Sequence, residues 1–172
     1  MILGFSTQIN GKSTDFVEKI WASIEDKYKI DNKYIFPEMY YECINKKLLK
    51  LVEAKPKIHT IREDPKDRWK VGMMIDFFIN VRTKKMFRFA PVLPVVSTQK
   101  VEIIITQNCG FRKRQVWIDD VFAIYYEYGH RVIDKGLLEL VQNDGFDTIE
   151  DFFAYFNEDF TGKIIHWTDL KY

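Results

Sequence analysis

The sequence predicts an α+β fold, in which a small mixed β-barrel carries helices near its amino-terminal end and before its last strand. A chain of 172 residues is long enough to bury the core of about one domain. From residue 57 onward, short apolar and β-branched runs are separated by turn residues, which is typical of strands. Residues 14–26 and 149–157 instead carry apolar side chains at helical spacing. We therefore expect one domain over residues 1–172.

The first third of the chain predicts a strand followed by helices. Residues 2–7 form a short apolar run, and residues 14–26 and 40–52 are predicted helices. This helical material, about residues 13–52, is interpreted as an elaboration on a smaller core. The apolar stripe of the first helix consists of Phe16, Val17, Ile20, Trp21 and Ile24.

The remainder is predicted to be mostly β-structure. A hairpin is expected around Asp119 and Asp120, although a two-residue turn normally prefers glycine, and residues 107–128 are interpreted as an insertion. A helical turn is expected at 137–141. The predicted strands cover residues 57–61, 74–81, 87–92, 95–107, 113–118, 121–128 and 163–170.

Charge is distributed unevenly although the formal net charge is only +1. Residues 42–70 and 82–114 are rich in lysine and arginine, whereas residues 118–160 are rich in aspartate and glutamate. This asymmetry allows two interpretations: a face that binds an anion, or two surfaces that partly neutralise each other.

Two widely separated cysteines, Cys43 and Cys109, do not suggest a disulfide framework. No secretion signal is recognised at the start, and no apolar stretch approaches the roughly 20 residues of a membrane span. The expectation is a cytoplasmic protein that does not enter membranes.

The most informative segment reads KIHTIRED at residues 57–64 and continues as WKVGM at residues 69–73. It resembles the signature of the ASCH family: a lysine, a threonine three residues later, an Ile-Arg pair with acidic residues, and an aromatic-basic stretch before a glycine. The run DGFDTIEDFF at residues 144–153 also resembles this family.

The resemblance implies a PUA-like barrel whose groove surrounds Lys57, Thr60 and Arg62. Enzyme-like members of the family look like amidohydrolases acting on acetylated cytidine. Carried over by position, Lys57 would be the base, Thr60 the nucleophile and Asp144 the acid. Those members have glutamate where this chain has Asp144, and Glu139 is a possible substitute.

Strand geometry gives an independent expectation for these residues. Alternation places Thr60 and Arg62 on one face and Lys57 on the other, unless the chain bends near Pro56. The Arg62 guanidinium suits a phosphate or carboxylate ligand, and its alternative role is an ion pair with a nearby carboxylate.

Trp69 and Lys70 complete the predicted ligand-binding set of Lys57, Thr60 and Arg62. Trp69 is expected to be exposed, because aromatic rings among basic residues suit base stacking and phosphate attraction. The histidines are scattered without metal-ligand spacing, so we expect no metal and no cofactor.

Three functions remain open at this point. The first is binding of RNA or a modified nucleoside in a groove around Lys57, Thr60 and Arg62. The second is hydrolysis of N4-acylated cytidine. The third is a protein-interaction domain without catalysis.

Overall fold

The computed structural model describes residues 1–24, 54–108, 111–127 and 135–172. Within these ranges the fold is mixed α+β, as predicted, with three helices and several sheets. The predicted helix at 40–52 lies outside the described residues. The strands are β1 (Ile2–Phe5), β2 (Gln8–Ile9), β3 (Lys12–Ser13), β4 (His59–Arg62), β5 (Met74–Ile79), β6 (Phe87–Arg88), β7 (Leu93–Pro94), β8 (Ser97–Asn108), β9 (Phe111–Ile118), β10 (Val121–Glu127) and β11 (Phe160–His166); the helices are α1 (Phe16–Ser23), α2 (Lys135–Asn143) and α3 (Ile149–Tyr155).

The first sheet is built on β5. Strand β1 pairs with β5 in parallel, and β6 and β7 pair with it antiparallel. Its inner face is aromatic: the rings of Phe5 and Phe77 stack at 5.8 Å. Helix α1 covers this face with Phe16, Ile20 and Trp21, the apolar side that its helical spacing predicts.

The second sheet has five strands in the order β10-β9-β8-β11-β4. Its β9–β10 hairpin confirms the predicted pair of strands. The chain reverses direction at Asp119 and Asp120, whose φ angles are 50° and 63°. Aspartate tolerates this left-handed conformation better than most residues, which explains a tight turn without glycine. Strand β4 lies at the edge of the sheet, so one side of its backbone needs other hydrogen-bond partners.

The two larger sheets share a core but form no closed barrel within the described ranges. Phe77 of β5 contacts Trp167, directly after β11, with ring centroids 5.3 Å apart. A second core cluster lies under the five-stranded sheet, where α2 contributes Leu137, Leu140 and Val141.

Several predicted boundaries were wrong for identifiable reasons. The strand expected at 87–92 is reduced to β6 at Phe87–Arg88, and Pro91 in the remaining part lacks the N–H that a ladder requires. The last strand begins three residues earlier than expected, at Phe160, and ends at His166. No helix in the described parts of the chain is long and apolar enough to cross a membrane.

Candidate functional site

Lys57 lies just before β4, on a segment held between α1 and the end of α2. Its backbone N–H donates to the Lys19 carbonyl at 2.9 Å, and the N–H of Ile58 donates to the Asn143 carbonyl at 3.0 Å. Because β4 begins only at His59, strand alternation does not fix the direction of the Lys57 side chain. That side chain turns inward and is 1% exposed.

Asp144 is the carboxylate that meets Lys57. The Lys57 ammonium donates to Asp144 Oδ1 at 2.8 Å and also to the Asp144 carbonyl. The same Oδ1 accepts the Ile61 N–H of the β4 edge at 3.1 Å. One oxygen therefore accepts hydrogen bonds from the buried Lys57 ammonium and from a backbone N–H at the edge of β4. Glu139, the alternative carboxylate, is exposed on α2.

Burial sets the ionisation of this pair. Desolvation lowers the pKa of Lys57 to about 8, against the opposing attraction of Asp144. Burial likewise raises the pKa of Asp144, while the Lys57 charge acts in the opposite direction. A lysine with a pKa near 8 is partly unprotonated near neutral pH and can act as a base there, whereas an ordinary lysine is almost fully protonated.

Aromatic rings and a glycine enclose the pair. The Lys57 Nζ lies 4.8 Å from the centroid of Phe16 and 5.9 Å from that of Phe5. Gly145 has φ +89°, and a Cβ there would lie 2.9 Å from both Lys57 Cδ and Phe16 Cε1. The close packing leaves no room for a side chain at this position.

Thr60 and Arg62 take other positions on β4. Thr60 is 3% exposed and lies opposite Ile165 of β11. The ammonium of Lys57 binds Asp144, and no hydrogen bond joins Lys57 to Thr60 in the described structure. Arg62 donates from Nη2 to the Gly4 carbonyl at 2.7 Å and lies 5.3 Å from the Phe5 ring.

The expected exposure of Trp69 was wrong. Trp69 is 4% exposed and belongs to the core, and its backbone N–H donates to Asp64 Oδ2 at 2.8 Å. Asp64 also accepts the Arg68 N–H at 2.8 Å, so this carboxylate folds the loop and turns the indole inward. Lys70, the other residue added to the predicted ligand-binding set, is exposed. Its ammonium pairs with the Asp67 carboxylate.

A second polar cluster adjoins the Lys57–Asp144 pair and was not singled out from the sequence. His59 is fully buried, its Nε2 lies 2.8 Å from the Tyr172 hydroxyl, and its Nδ1 lies 3.8 Å from Asp144 Oδ1. Asn143 donates to the same hydroxyl at 2.8 Å. Tyr172 carried no sequence signal, because only the tertiary fold brings it to β4.

A cavity of about 450 Å³ opens at the end of β4. We call it the Arg62 pocket. Ile61, whose N–H binds Asp144, forms part of its wall, so the pocket and the buried pair share a strand. The complete lining is Ile61, Arg62, Glu63, Tyr155, Phe156, Asn157, Glu158, Asp159 and Phe160.

The lining combines apolar and hydrogen-bonding groups. Tyr155 is 45% exposed, and Phe156 packs against its ring at 4.9 Å. The charged residues of the lining are one arginine, Arg62, and three carboxylates, those of Glu63, Glu158 and Asp159. The pocket is therefore acidic rather than basic, and a phosphate would be repelled from it.

Within the described ranges, no group of three or more His, Cys, Asp or Glu residues is arranged to hold a metal ion. Comparisons with family models, with curated proteins and with solved structures found no match to this chain.

Proposed function

We propose that this protein binds a nucleoside, or an unpaired base of RNA, in the Arg62 pocket. The observation that carries the proposal is the pocket itself. Its volume of about 450 Å³ lies within the range of about 300–1,000 Å³ typical of small-molecule sites. It offers an exposed tyrosine ring for stacking beside hydrogen-bonding side chains.

The sequence resemblance supports the same proposal. The Lys57, Thr60 and Arg62 motif resembles the ASCH signature, and this motif leads directly into the pocket wall. We extend the proposal to the fold: the two sheets that share the Phe77–Trp167 contact would represent a PUA-like barrel with added elements. The acidic lining favours contact with a base rather than with its phosphate.

Equilibrium binding of cytidine, N4-acetylcytidine and uridine to the purified protein tests this proposal. Replacing Tyr155 with serine removes the stacking surface. Stacking contributes about 1–3 kcal/mol per base, so the Kd should rise by about 5- to 150-fold. Tyr155→Phe keeps the ring and serves as the matched control, with binding close to that of the unmodified protein.

Two outcomes would contradict nucleoside binding. One is the absence of binding to all three nucleosides at millimolar concentration. The other is unchanged affinity in Tyr155→Ser, provided that the variant gives the amide spectrum of a folded protein.

A second candidate function is hydrolysis of an N4-acylated cytidine, favoured by the Lys57–Asp144 pair. The amine of Lys57, with its pKa near 8, could accept the Thr60 hydroxyl proton as the oxygen attacks the amide carbonyl. The Lys57 ammonium would return this proton to N4 as the C–N bond breaks and cytidine leaves, and water would then hydrolyse the resulting acyl ester of Thr60. Because Lys57 and Thr60 are 1% and 3% exposed, this reaction requires β4 to open toward the pocket.

Release of cytidine from N4-acetylcytidine tests the second candidate. Lys57→Met and Thr60→Val preserve side-chain volume and remove the base and the hydroxyl, respectively. Turnover by the unmodified protein that disappears in both variants would support hydrolysis. Turnover that persists in either variant would exclude the assigned roles.

A further inference from the structure

Two hydrogen bonds and one electrostatic contact lead from the end of α2 to the far side of the Lys57–Asp144 pair. Asn143 Nδ2 donates to the Tyr172 hydroxyl at 2.8 Å. The same hydroxyl lies 2.8 Å from His59 Nε2. Across the imidazole ring, His59 Nδ1 lies 3.8 Å from Asp144 Oδ1. The four side chains thus connect Asn143 to the carboxylate that binds Lys57.

The hydrogen-bonding groups from Asn143 to His59 favour one arrangement of donors and acceptors. Burial holds the pKa of His59 well below its ordinary value, with further lowering by the Lys57 and His166 charges, so the ring is neutral with one donor and one acceptor nitrogen. Burial also raises the pKa of Tyr172, so its hydroxyl keeps its proton. Because the Asn143 amide donates to the Tyr172 oxygen, the hydroxyl proton is free to point at Nε2. With the hydroxyl proton in that position, the imidazole proton would lie on Nδ1.

We propose that Tyr172 and His59 are positioning residues for the Lys57–Asp144 pair: the Tyr172 hydroxyl keeps the His59 proton on Nδ1, where it faces the Asp144 carboxylate and helps to hold it ionised. At 3.8 Å the contact is electrostatic rather than a hydrogen bond, and the dry surroundings strengthen it. The opposite tautomer would direct a lone pair at the carboxylate oxygen.

The surrounding structure holds this arrangement in place. The Gln99 side chain donates to the Tyr172 carbonyl at 2.8 Å and accepts the Tyr172 N–H at 2.9 Å, as a neighbouring strand would. The His59 ring lies 5.5 Å from the Tyr172 ring and 5.2 Å from that of His166. The titratable groups that influence His59 are therefore Lys57, Asp144, His166 and Tyr172. The inference concerns these groups alone and does not depend on the ligand of the Arg62 pocket.

Imidazole ¹⁵N NMR on the full chain tests the assigned tautomer directly. The His59 signals are identified by their loss in His59→Asn. We expect a protonated Nδ1 and an unprotonated, hydrogen-bonded Nε2. In Tyr172→Phe, the Nε2 resonance should move to the position of a nitrogen without a hydrogen bond. A proton on Nε2 in the unmodified protein, or an Nε2 resonance unaffected by Tyr172→Phe, would overturn the proposal.

A pair of His59 variants tests the effect on Lys57. The asparagine amide nitrogen in His59→Asn occupies the place of Nδ1, whereas the glutamine amide nitrogen in His59→Gln reaches the place of Nε2. NMR titration should give a Lys57 pKa close to that of the unmodified protein in His59→Asn and a lower one in His59→Gln. Equal shifts in the two variants would refute the positioning role. If a variant does not fold, the tautomer of the unmodified protein still decides the question.

Discussion

At the scale of single residues, the oxygen Oδ1 of Asp144 has two separable functions. It pairs with the buried Lys57 ammonium and accepts the Ile61 N–H. Removing one partner of a buried ion pair usually costs about 3–5 kcal/mol, because the remaining charge is left uncompensated. We therefore expect Asp144→Ala to lower the free energy of unfolding by about this amount.

The control for this prediction is Asp144→Asn. Asparagine loses the charge but keeps an oxygen that can accept the Ile61 N–H, so its cost should be clearly smaller. Urea denaturation of both variants checks the difference. Equal costs for alanine and asparagine would mean that the Ile61 hydrogen bond contributes nothing measurable.

The lowered pKa of Lys57 predicts how stability changes with pH. The folded pKa is about 8, against 10.5 for an ordinary lysine. Between pH 8 and 10.5 the unfolded chain binds more protons at Lys57 than the folded chain does. The contribution of Lys57 therefore makes the free energy of unfolding rise with pH, by at most about 1.4 kcal/mol per pH unit.

Denaturation at pH 8, 9 and 10 measures this slope. The series stops at pH 10 because burial raises the pKa of Tyr172 in the folded protein above its ordinary value of 10. Above pH 10, Tyr172 therefore makes the free energy of unfolding fall with pH, which would mask the contribution of Lys57. The double variant Lys57→Met with Asp144→Asn removes both charges and should lose the Lys57 part of the slope. A slope identical to that of the unmodified protein would contradict the assigned pKa.

At the scale of elements, the turn between α2 and α3 closes the site. Gly145 has φ +89°, and its Cα approaches Lys57 and Phe16 so closely that a Cβ would lie 2.9 Å from each. Gly145→Ala should therefore be destabilising both through backbone strain and through overpacking, which costs about 1–3 kcal/mol.

Gly72 provides a matched control for this substitution. Its φ is +84°, but no atom lies within 4 Å of the position that its Cβ would take. Gly72→Ala should therefore show the strain alone. Chemical denaturation of the two variants isolates the overpacking contribution, and equal losses of stability would show that the contact with Lys57 and Phe16 relaxes without cost.

Helix α1 and the β9–β10 hairpin followed from local patterns, because apolar spacing and turn residues determine them over short distances. The direction of Lys57 did not, because it depends on contacts with Lys19, Asp144 and Phe16 from distant parts of the chain.

The same distinction applies to the candidate site. The sequence left Asp144 and Glu139 open as the site carboxylate, and the structure pairs Asp144 with Lys57. The predicted exposure of Trp69 was wrong. Asp64 accepts two backbone N–H groups of the loop that contains Trp69, and residue type alone does not indicate these hydrogen bonds. Tyr172 enters the cluster only through tertiary contacts.

At the scale of the whole molecule, ion pairs among the described residues bear on the two interpretations of the charge asymmetry. Several cations of the basic middle segment pair with carboxylates instead of forming an open basic face. Arg88 binds Asp76 at 2.7 Å, and Lys100 binds Asp120 at 2.8 Å. Lys70 pairs with Asp67. Partial neutralisation therefore describes these residues better than an anion-binding surface does.

This charge distribution predicts the salt dependence of binding. A protein that contacts about 6–10 phosphates loses about 10³- to 10⁵-fold in affinity between about 50 and 200 mM salt. Because cytidine carries no phosphate and the lining of the Arg62 pocket is acidic, we expect the Kd for cytidine to change less than about twofold over that range. Calorimetric titrations at the two salt concentrations measure the change directly.

A short single-stranded RNA containing one cytidine, titrated under the same conditions, separates base recognition from phosphate recognition. If the pocket recognises the base, the RNA should bind with a weak salt dependence similar to that of the nucleoside, and Tyr155→Ser should weaken both ligands equally. A steep salt dependence for the RNA, together with no effect of Tyr155→Ser, would place RNA binding on a basic surface elsewhere. The Arg62 pocket would then have to be assigned a ligand other than a nucleic-acid base.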